Sequence, residues 1–405
     1  MTLSRSASHH QVLIVGGGTA GVTVAARLRR AGAGDGDVAV IEPSDRHYYQ
    51  PLWTLVGGGL APAGITHRPE ASVLPKGVDW IRSRAADIDP DARTVTTEDG
   101  QQHSYDHLVV APGLQLDFDK VSGLAEALGR DGVSSNYRLD LAPRTWDFIR
   151  ATTGGTALFT MPAGPIKCAG APQKIAYLAA DWWRRQGTLD RTRIILVLAT
   201  PTMFSQPDWA KVLEGIAAGY GIEVRRESQL VEVSGDRRQA VILDSTTGTK
   251  ETIDYDLLHA VPPQSAPDFI KRTSLADPAV PFGYVQVDQY TLQSPRWPNV
   301  FALGDVANLP TSKTGAAVRK QAPVVVANLL AARRGRPLPA RYDGYTSCPL
   351  VTARNRMLLA EFDYELTPRP SIPFVDTMKP RYDMWLLKRY GLPALYWHGI
   401  LRGRA

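Results

Sequence analysis

The stretch from Val12 to Glu42 constrains this chain more than any other. An apolar strand, Val12-Leu13-Ile14-Val15, runs into Gly16-Gly17-Gly18-Thr19-Ala20-Gly21, then a helical pattern through Arg30, then a second apolar strand, Val38-Ala39-Val40-Ile41, that ends in Glu42. Gly16 permits the tight turn, Gly18 lets the backbone approach a pyrophosphate, and Gly21 lets helix and strand pack closely, while the helix N-terminus faces the phosphates. A carboxylate at Glu42 can accept hydrogen bonds from ribose hydroxyls, and it disfavours a 2′-phosphate. Strand, turn, helix, strand and acid in this order predict a dinucleotide-binding unit at the start of an α/β fold.

With 405 residues and 44% hydrophobic content the chain can build two or more domains with sizeable cores. Its first residues pass into the strand without an apolar leader or cleavage site, so a cytosolic start is expected. No run of about 18 apolar residues is present, which predicts no spanning helix. The net charge of +6 is concentrated at the end: from Leu366 to Ala405 seven basic residues face only Asp376 and Asp383. The same stretch interleaves Phe374, Tyr382, Trp385, Tyr390, Tyr396 and Trp397 with leucines, a pattern suited to the headgroup region of an anionic bilayer. Gly391 and Pro393 are expected to break it into two short helical pieces. No nucleic-acid recognition module accompanies this charge, so nucleic acid is not an expected partner.

Cys168 and Cys348 are the only cysteines. In a reducing compartment a structural disulfide is disfavoured and a catalytic one is not. Cys168 stands in Pro165-Ile166-Lys167-Cys168-Ala169-Gly170-Ala171-Pro172, where Pro172 suits the first turn of a helix. A thiol just before a helix N-terminus, with Lys167 and Lys174 near in sequence, favours the thiolate. Cys348, in Tyr345-Thr346-Ser347-Cys348-Pro349, reads as part of a loop rich in turn formers. His103 and His107 are expected to flank a strand, and no residue cluster has metal-ligand spacing. Asp117, Asp119 and Lys120 read as solvated loop charge.

Pro298-Asn299-Val300-Phe301-Ala302-Leu303-Gly304-Asp305 resembles the second FAD signature of the two-dinucleotide-domain flavoproteins, and Leu108-Val109-Val110-Ala111-Pro112-Gly113 resembles their crossover strand. The resemblance implies a glutathione-reductase-like α/β architecture of two Rossmann-like domains. The FAD-binding domain comprises 1–112 and 283–365, the second domain, carrying Cys168, comprises 113–282, and a membrane-surface segment comprises 366–405. In the second domain the strand Thr156–Thr160 leads into Met161-Pro162-Ala163-Gly164-Pro165, where prolines replace the glycines that would admit a nicotinamide dinucleotide. Four blocks, His47–Gly57, Lys167–Ile175, Asn308–Thr314 and Tyr342–Thr352, then make the chain similar to the sulfide:quinone oxidoreductases of the mitochondrial type, also found in bacteria.

That resemblance implies FAD, hydrogen sulfide as donor, a membrane quinone as acceptor and a small thiol or sulfite-like sulfur acceptor. It makes Cys168 and Cys348 a redox-active pair, with sulfane sulfur held on Cys348 and electrons leaving through Cys168. It assigns flavin contacts to Gly16, Gly18, Ala20, Gly21, Glu42, Gln50, Ala85, Gly304, Asp305 and Lys313. It implies peripheral or monotopic attachment to the cytoplasmic face of the inner membrane. Where some members carry a further cysteine after Gly304-Asp305, this chain has Val306. The alternatives are an NADH:quinone or other thiol-oxidising flavoprotein dehydrogenase, and a non-catalytic redox-sensing flavoprotein. The oligomeric state is left open.

Overall fold

A computed structural model describes residues 8–405. The reading of Met1–Ala7 as a leader-free start lies outside the described residues. Strand β1 (Ser8–Val15) occupies the middle of a parallel sheet because Val12, Leu13 and Ile14 carry apolar groups on both faces and are fully buried. The turn then opens helix α1 (Thr19–Arg30), and β2 (Val38–Ile41) returns beside β1 with Val12 opposite Val38 and Val15 opposite Ile41. Beyond β2 lies β3 (Val78–Ile81), and on the other side of β1 lies β4 (Gln102–Val110), all parallel. The strand Val300–Ala302 completes this sheet beside Leu108–Val110, so the second glycine-acid signature returns to the first domain. His103 and His107 lie within β4 itself, because the strand extends further toward its N-terminus than its apolar stretch implies.

The second domain repeats the plan. Strand β5 (Gly155–Met161), helix α2 (Ala171–Gln186) and strand β6 (Thr192–Leu198) form a parallel unit, and β7 (Leu257–His259) pairs on the far side of β5. One face of α2 is the core of the domain: Ile175, Ala176, Tyr177, Ala179, Ala180 and Trp183 are completely buried. The helix stops at Gly187, which adopts the left-handed conformation that spares a Cβ.

The chain crosses between domains through a two-stranded ribbon in which Gln115–Leu116 pairs antiparallel with Gln264–Ser265. The return falls ahead of residue 283, since Ala266, Ile270 and Leu275 already pack with Val15, Ile41 and Val110. Asp117 belongs to this ribbon and is buried, not solvated; it accepts hydrogen bonds from the Ser265 hydroxyl at 2.6 Å and the Gln115 amide at 2.7 Å.

Helix α3 (Gly315–Ala332), capped by the Thr314 hydroxyl, packs on α1. A hairpin follows, β8 (Thr346–Ala353) and β9 (Arg356–Phe362), in which Cys348 faces Ala360. Cys348 therefore sits in a buried strand and not in a loop: Thr346, Leu350, Val351 and Thr352 around it supply the β-branched and apolar content that a hairpin against α2 requires.

The C-terminal stretch also departs from expectation. Gly391 keeps helical angles (φ −67°, ψ −50°), and a π-turn over Leu387–Gly391 links α4 (Tyr382–Leu386) to α5 (Leu392–His398) without a break. Pro393 falls in the first turn of α5, where its missing N–H costs nothing. Met384, Tyr396, Trp397, Ile400 and Leu401 are buried, whereas Tyr382, Leu386, Tyr390 and Leu395 remain exposed together with Phe374. The segment thus spends one face on the protein and keeps the other free. No helix among the described residues is long and apolar enough to cross a membrane.

Candidate active site

The two sulfurs, 180 positions apart in sequence, lie 3.7 Å from each other as free cysteines. Cys168 reaches this position through an unusual backbone: its φ of +55° is in the left-handed region, which a residue with a Cβ enters only when its surroundings hold it there. Three contacts hold it. Its N–H donates to the Lys313 carbonyl at 3.0 Å, its carbonyl accepts from Ala171 N–H at 2.8 Å, and the Tyr137 hydroxyl donates to the neighbouring Lys167 carbonyl at 2.9 Å. Gly170 lets β8 come close. A Cβ there would lie 2.4 Å from Leu350 Cδ2 and 2.9 Å from Cys348 Sγ.

Two buried lysines act on the sulfur pair, one by direct contact and one by its charge. Lys174, on the first turn of α2, donates to Cys168 Sγ at 3.0 Å and stands 3.8 Å from Cys348 Sγ. Lys388, from the π-turn of the C-terminal segment, is 2% exposed and donates to the Pro51 carbonyl at 2.8 Å. The hydrogen bond from Cys348, together with the charges of Lys174 and Lys388, outweighs burial and holds the Cys168 thiol well below its ordinary range. Cys348 moves the other way: it donates to Cys168, and burial adds to the rise. Lys174, nearer to Cys168 than to Cys348, favours the negative charge of the reduced pair on Cys168. Burial pushes Lys388 down to about 7, with Lys174 repelling it and the sulfurs opposing the drop.

Lys167 does not serve the thiol in this way. Its ammonium turns outward to the Gln50 side-chain carbonyl at 2.8 Å, while its N–H donates to Gln264 at 2.9 Å. Lys313 is buried, and its ammonium donates to the backbone carbonyls of Asp305 at 2.6 Å and Ala307 at 3.0 Å, over the ring of Tyr284. Burial lowers it to about 8 although Asp305 pulls upward, and burial raises the Asp305 carboxyl against Lys313 and Lys167.

The residues expected to hold FAD fit that group. A Cβ on Gly16 would lie 2.4 Å from the Ala111 carbonyl and one on Gly21 1.8 Å from the Gly16 carbonyl, whereas one on Gly18 would meet nothing within 4 Å. Protein thus presses on the turn everywhere except at Gly18, the side a pyrophosphate must approach. Glu42 accepts N–H bonds from Gly17 and Ser44, each at 2.8 Å, which aims its carboxylate at the same edge. Gly304, at φ +73°, packs 3.3 Å from Ala20, measured from where its Cβ would stand, so the two signatures meet. Ala85 lies apart from the sulfurs, buried beside Val15 and Ile41. Lys388, Gly170, Tyr137 and Gln264 were not read as site residues from sequence. A glycine two positions after the cysteine was a usable signal; Lys388, within a basic tail, carried none.

The pyridine nucleotide-disulphide oxidoreductase family matches residues 10–323. The chain is 44% identical to the mitochondrial sulfide:quinone oxidoreductase of Mus musculus, over 98% of this chain and 87% of that one. It is 43% identical to the protein of the same name from Dictyostelium discoideum, over 97% and 86%. Its fold is similar to the solved structure of the sulfide:quinone oxidoreductase from Aquifex aeolicus, with a TM-score of 0.82 at 21% identity, covering 98% of this chain and 92% of that chain.

Proposed function

The chain belongs to the sulfide:quinone oxidoreductases, within the pyridine nucleotide-disulphide oxidoreductases, and on that premise we propose that it oxidises hydrogen sulfide at Cys168 and Cys348 and delivers the electrons to a membrane quinone. The observation that carries this reading is the contact of the two sulfurs beside the Lys174 ammonium.

In the oxidised enzyme the two sulfurs are joined as a disulfide. Hydrosulfide attacks Cys348 Sγ, the S–S bond breaks, and Cys168 leaves as the thiolate, so that Cys348 carries the persulfide. The direction follows from the two thiols: the lower-pKa sulfur is the better leaving group, and Lys174 is positioned to take up its charge. A small thiol or sulfite-like nucleophile then attacks the outer sulfur and releases Cys348, leaving the reduced pair whose two electrons must pass on before the disulfide re-forms.

Gly16, Gly18, Ala20, Gly21, Glu42, Gln50, Ala85, Gly304, Asp305 and Lys313 would hold FAD, which would supply the two-electron relay between thiols and quinone. The ammonium of Lys313, fixed on backbone carbonyls and acted on by the Asp305 carboxyl, would bring positive charge to this site. The exposed Tyr382, Leu386, Tyr390 and Leu395 of the C-terminal segment rest on the membrane surface beside Arg389, as a peripheral or monotopic attachment at the cytoplasmic face of the inner membrane.

Anaerobic titration with sulfide, beside a parallel titration with NADH, tests this reading through flavin absorbance. Stoichiometric bleaching by sulfide that is lost in Cys168→Ser and Cys348→Ser is the expected result. Bleaching by NADH with sulfide inert would overturn it.

A further inference from the structure

A second buried polar assembly lies beneath the dinucleotide turn. His47 Nδ1 faces two acceptors, the Gly17 carbonyl at 3.1 Å and Glu70 Oε2 at 3.2 Å, and its Nε2 lies 2.6 Å from the Tyr396 hydroxyl. The Tyr396 hydroxyl is also 2.8 Å from the Thr19 hydroxyl, at the first residue of α1. His47, Glu70 and Tyr396 are each at most 3% exposed. Since both partners of Nδ1 are acceptors, that nitrogen carries a proton. The Nε2–Tyr396 and Tyr396–Thr19 hydrogen bonds carry the chain from the ring to the start of α1.

These bonds tie Gly17 and Thr19, both within the phosphate turn, to a tyrosine 377 positions downstream of Thr19. Glu70 presses on the turn from below: its Oε1 is buried without a partner among the described residues, and a Cβ on Gly17 would lie 3.1 Å from it. The segment bearing Tyr396 is clamped on both sides of the turn. Arg402 donates to the Ser72 carbonyl at 3.0 Å, Arg68 stacks over Trp397 at 4.4 Å, and Gly403 approaches Arg27 of α1 so closely that a Cβ there would lie 3.0 Å from its nitrogen.

We propose that Tyr396 and His47 are cofactor-positioning residues, so that the C-terminal segment completes the dinucleotide site and its docking is coupled to FAD binding. This rests on the FAD assignment above. Coupling of this kind is reciprocal: whatever loosens the segment weakens FAD, and whatever disturbs the turn loosens the segment.

The test uses the holoenzyme with Tyr396→Phe, Thr19→Val and the double variant. Tyr396→Phe keeps the ring that packs on Tyr49, with centroids 4.4 Å apart, and removes only the hydroxyl. Flavin content of the unmodified protein is measured first, and its absence would overturn the cofactor assignment separately from the coupling. The FAD dissociation constant, from flavin released on dilution, is expected to rise roughly tenfold in each single variant and no further in the double one. Tryptic cleavage after Arg389 is the second readout. Thr19→Val, remote in sequence from the tail, is expected to speed that cleavage. Unchanged FAD affinity in Tyr396→Phe, additive losses in the double variant, or cleavage of Thr19→Val at the unmodified rate would each overturn the proposal.

Discussion

The first and second domains share one plan, a parallel strand, a turn and a helix, and differ in what fills the turn. After β1 the turn is glycine, pressed by the Ala111 carbonyl and open at Gly18. After β5 it is Pro162-Ala163-Gly164-Pro165, and a Cβ on Gly164 would lie 2.7 Å from the ring of Phe282, so that turn is plugged by a side chain. In the first case the helix N-terminus is left free for a phosphate; in the second, the residues before the helix carry Cys168 into contact with Cys348. One backbone framework therefore supports either a dinucleotide or a sulfur pair, and a few turn residues decide which. The plugged turn argues against a nicotinamide in the second domain.

The largest expected effect breaks the second half of this comparison. Cys168→Ser or Cys348→Ser should lower the rate of sulfide-dependent flavin bleaching by on the order of 10³-fold or more, measured by stopped-flow, with FAD content retained. Next in size is a change in the first half. Gly18→Ala meets no protein atom, so it should cut FAD content at least roughly tenfold with an unchanged far-ultraviolet circular dichroism spectrum, whereas Gly16→Ala, which meets the Ala111 carbonyl at φ +102°, should lose the fold as well. A loss of secondary structure in Gly18→Ala would show that its role is packing.

A third change probes the approach of β8. Gly170→Ala inserts a methyl against Leu350 and Cys348, and overpacking of this kind costs about 1–3 kcal/mol. The yield of the Cys168–Cys348 disulfide under mild oxidation should fall, as counted by thiol titration. Normal disulfide yield would mean that the hairpin shifts without parting the sulfurs.

Two smaller effects concern pH. Lys174→Met removes a charge that favours the Cys168 thiolate, so the midpoint of the pH profile for alkylation of the reduced enzyme should move upward. The folded-state pKa of Cys168 is depressed, so its thiolate adds stability that is fully present above the pKa of the unfolded thiol and is lost as pH falls through the folded value. Lys388 shifts stability in the same direction with pH, but as a penalty and not a gain. Its folded pKa is lowered to about 7, so its burial penalty is absent above the unfolded lysine pKa, grows as pH falls, and is complete below about 7. The melting temperature of Lys388→Met, relative to the unmodified protein, should therefore rise from about pH 10 toward 7 and level off below it. A pH-independent difference would mean that Lys388 stays charged throughout.

Much of the first domain was legible because its signals are local. Gly16, Gly18, Gly21 and Glu42 lie within one strand–turn–helix–strand unit, and each has a conformational or hydrogen-bonding reason to be there. The hairpin around Cys348 was not legible: Ser347 and Pro349 read as turn formers, yet packing against α2 draws them into a strand. Asp117 was misplaced for a similar reason, since its partner Ser265 is supplied by the returning strand of the ribbon. In the C-terminal segment the interleaved aromatic and basic residues were visible, but not which of them face inward, because Gly391 and Pro393 act as helix breakers only outside the context that α5 provides.

What the amino-acid sequence determined by itself was the repeated α/β plan, the glycine turn with its acid, the absence of such a turn in the second half, and the presence of two cysteines in reactive-looking surroundings. These follow from short-range sterics and hydrogen bonding, which neighbouring residues dictate. Tertiary structure alone decided that Cys168 and Cys348 meet, that Lys388 leaves the basic tail to be buried on the Pro51 carbonyl, and that Tyr396 closes a network under the dinucleotide turn. Those contacts join positions far apart in sequence, 180 residues for the two sulfurs and 349 for His47 and Tyr396, and they are selected by the packing of whole elements, which no local periodicity encodes.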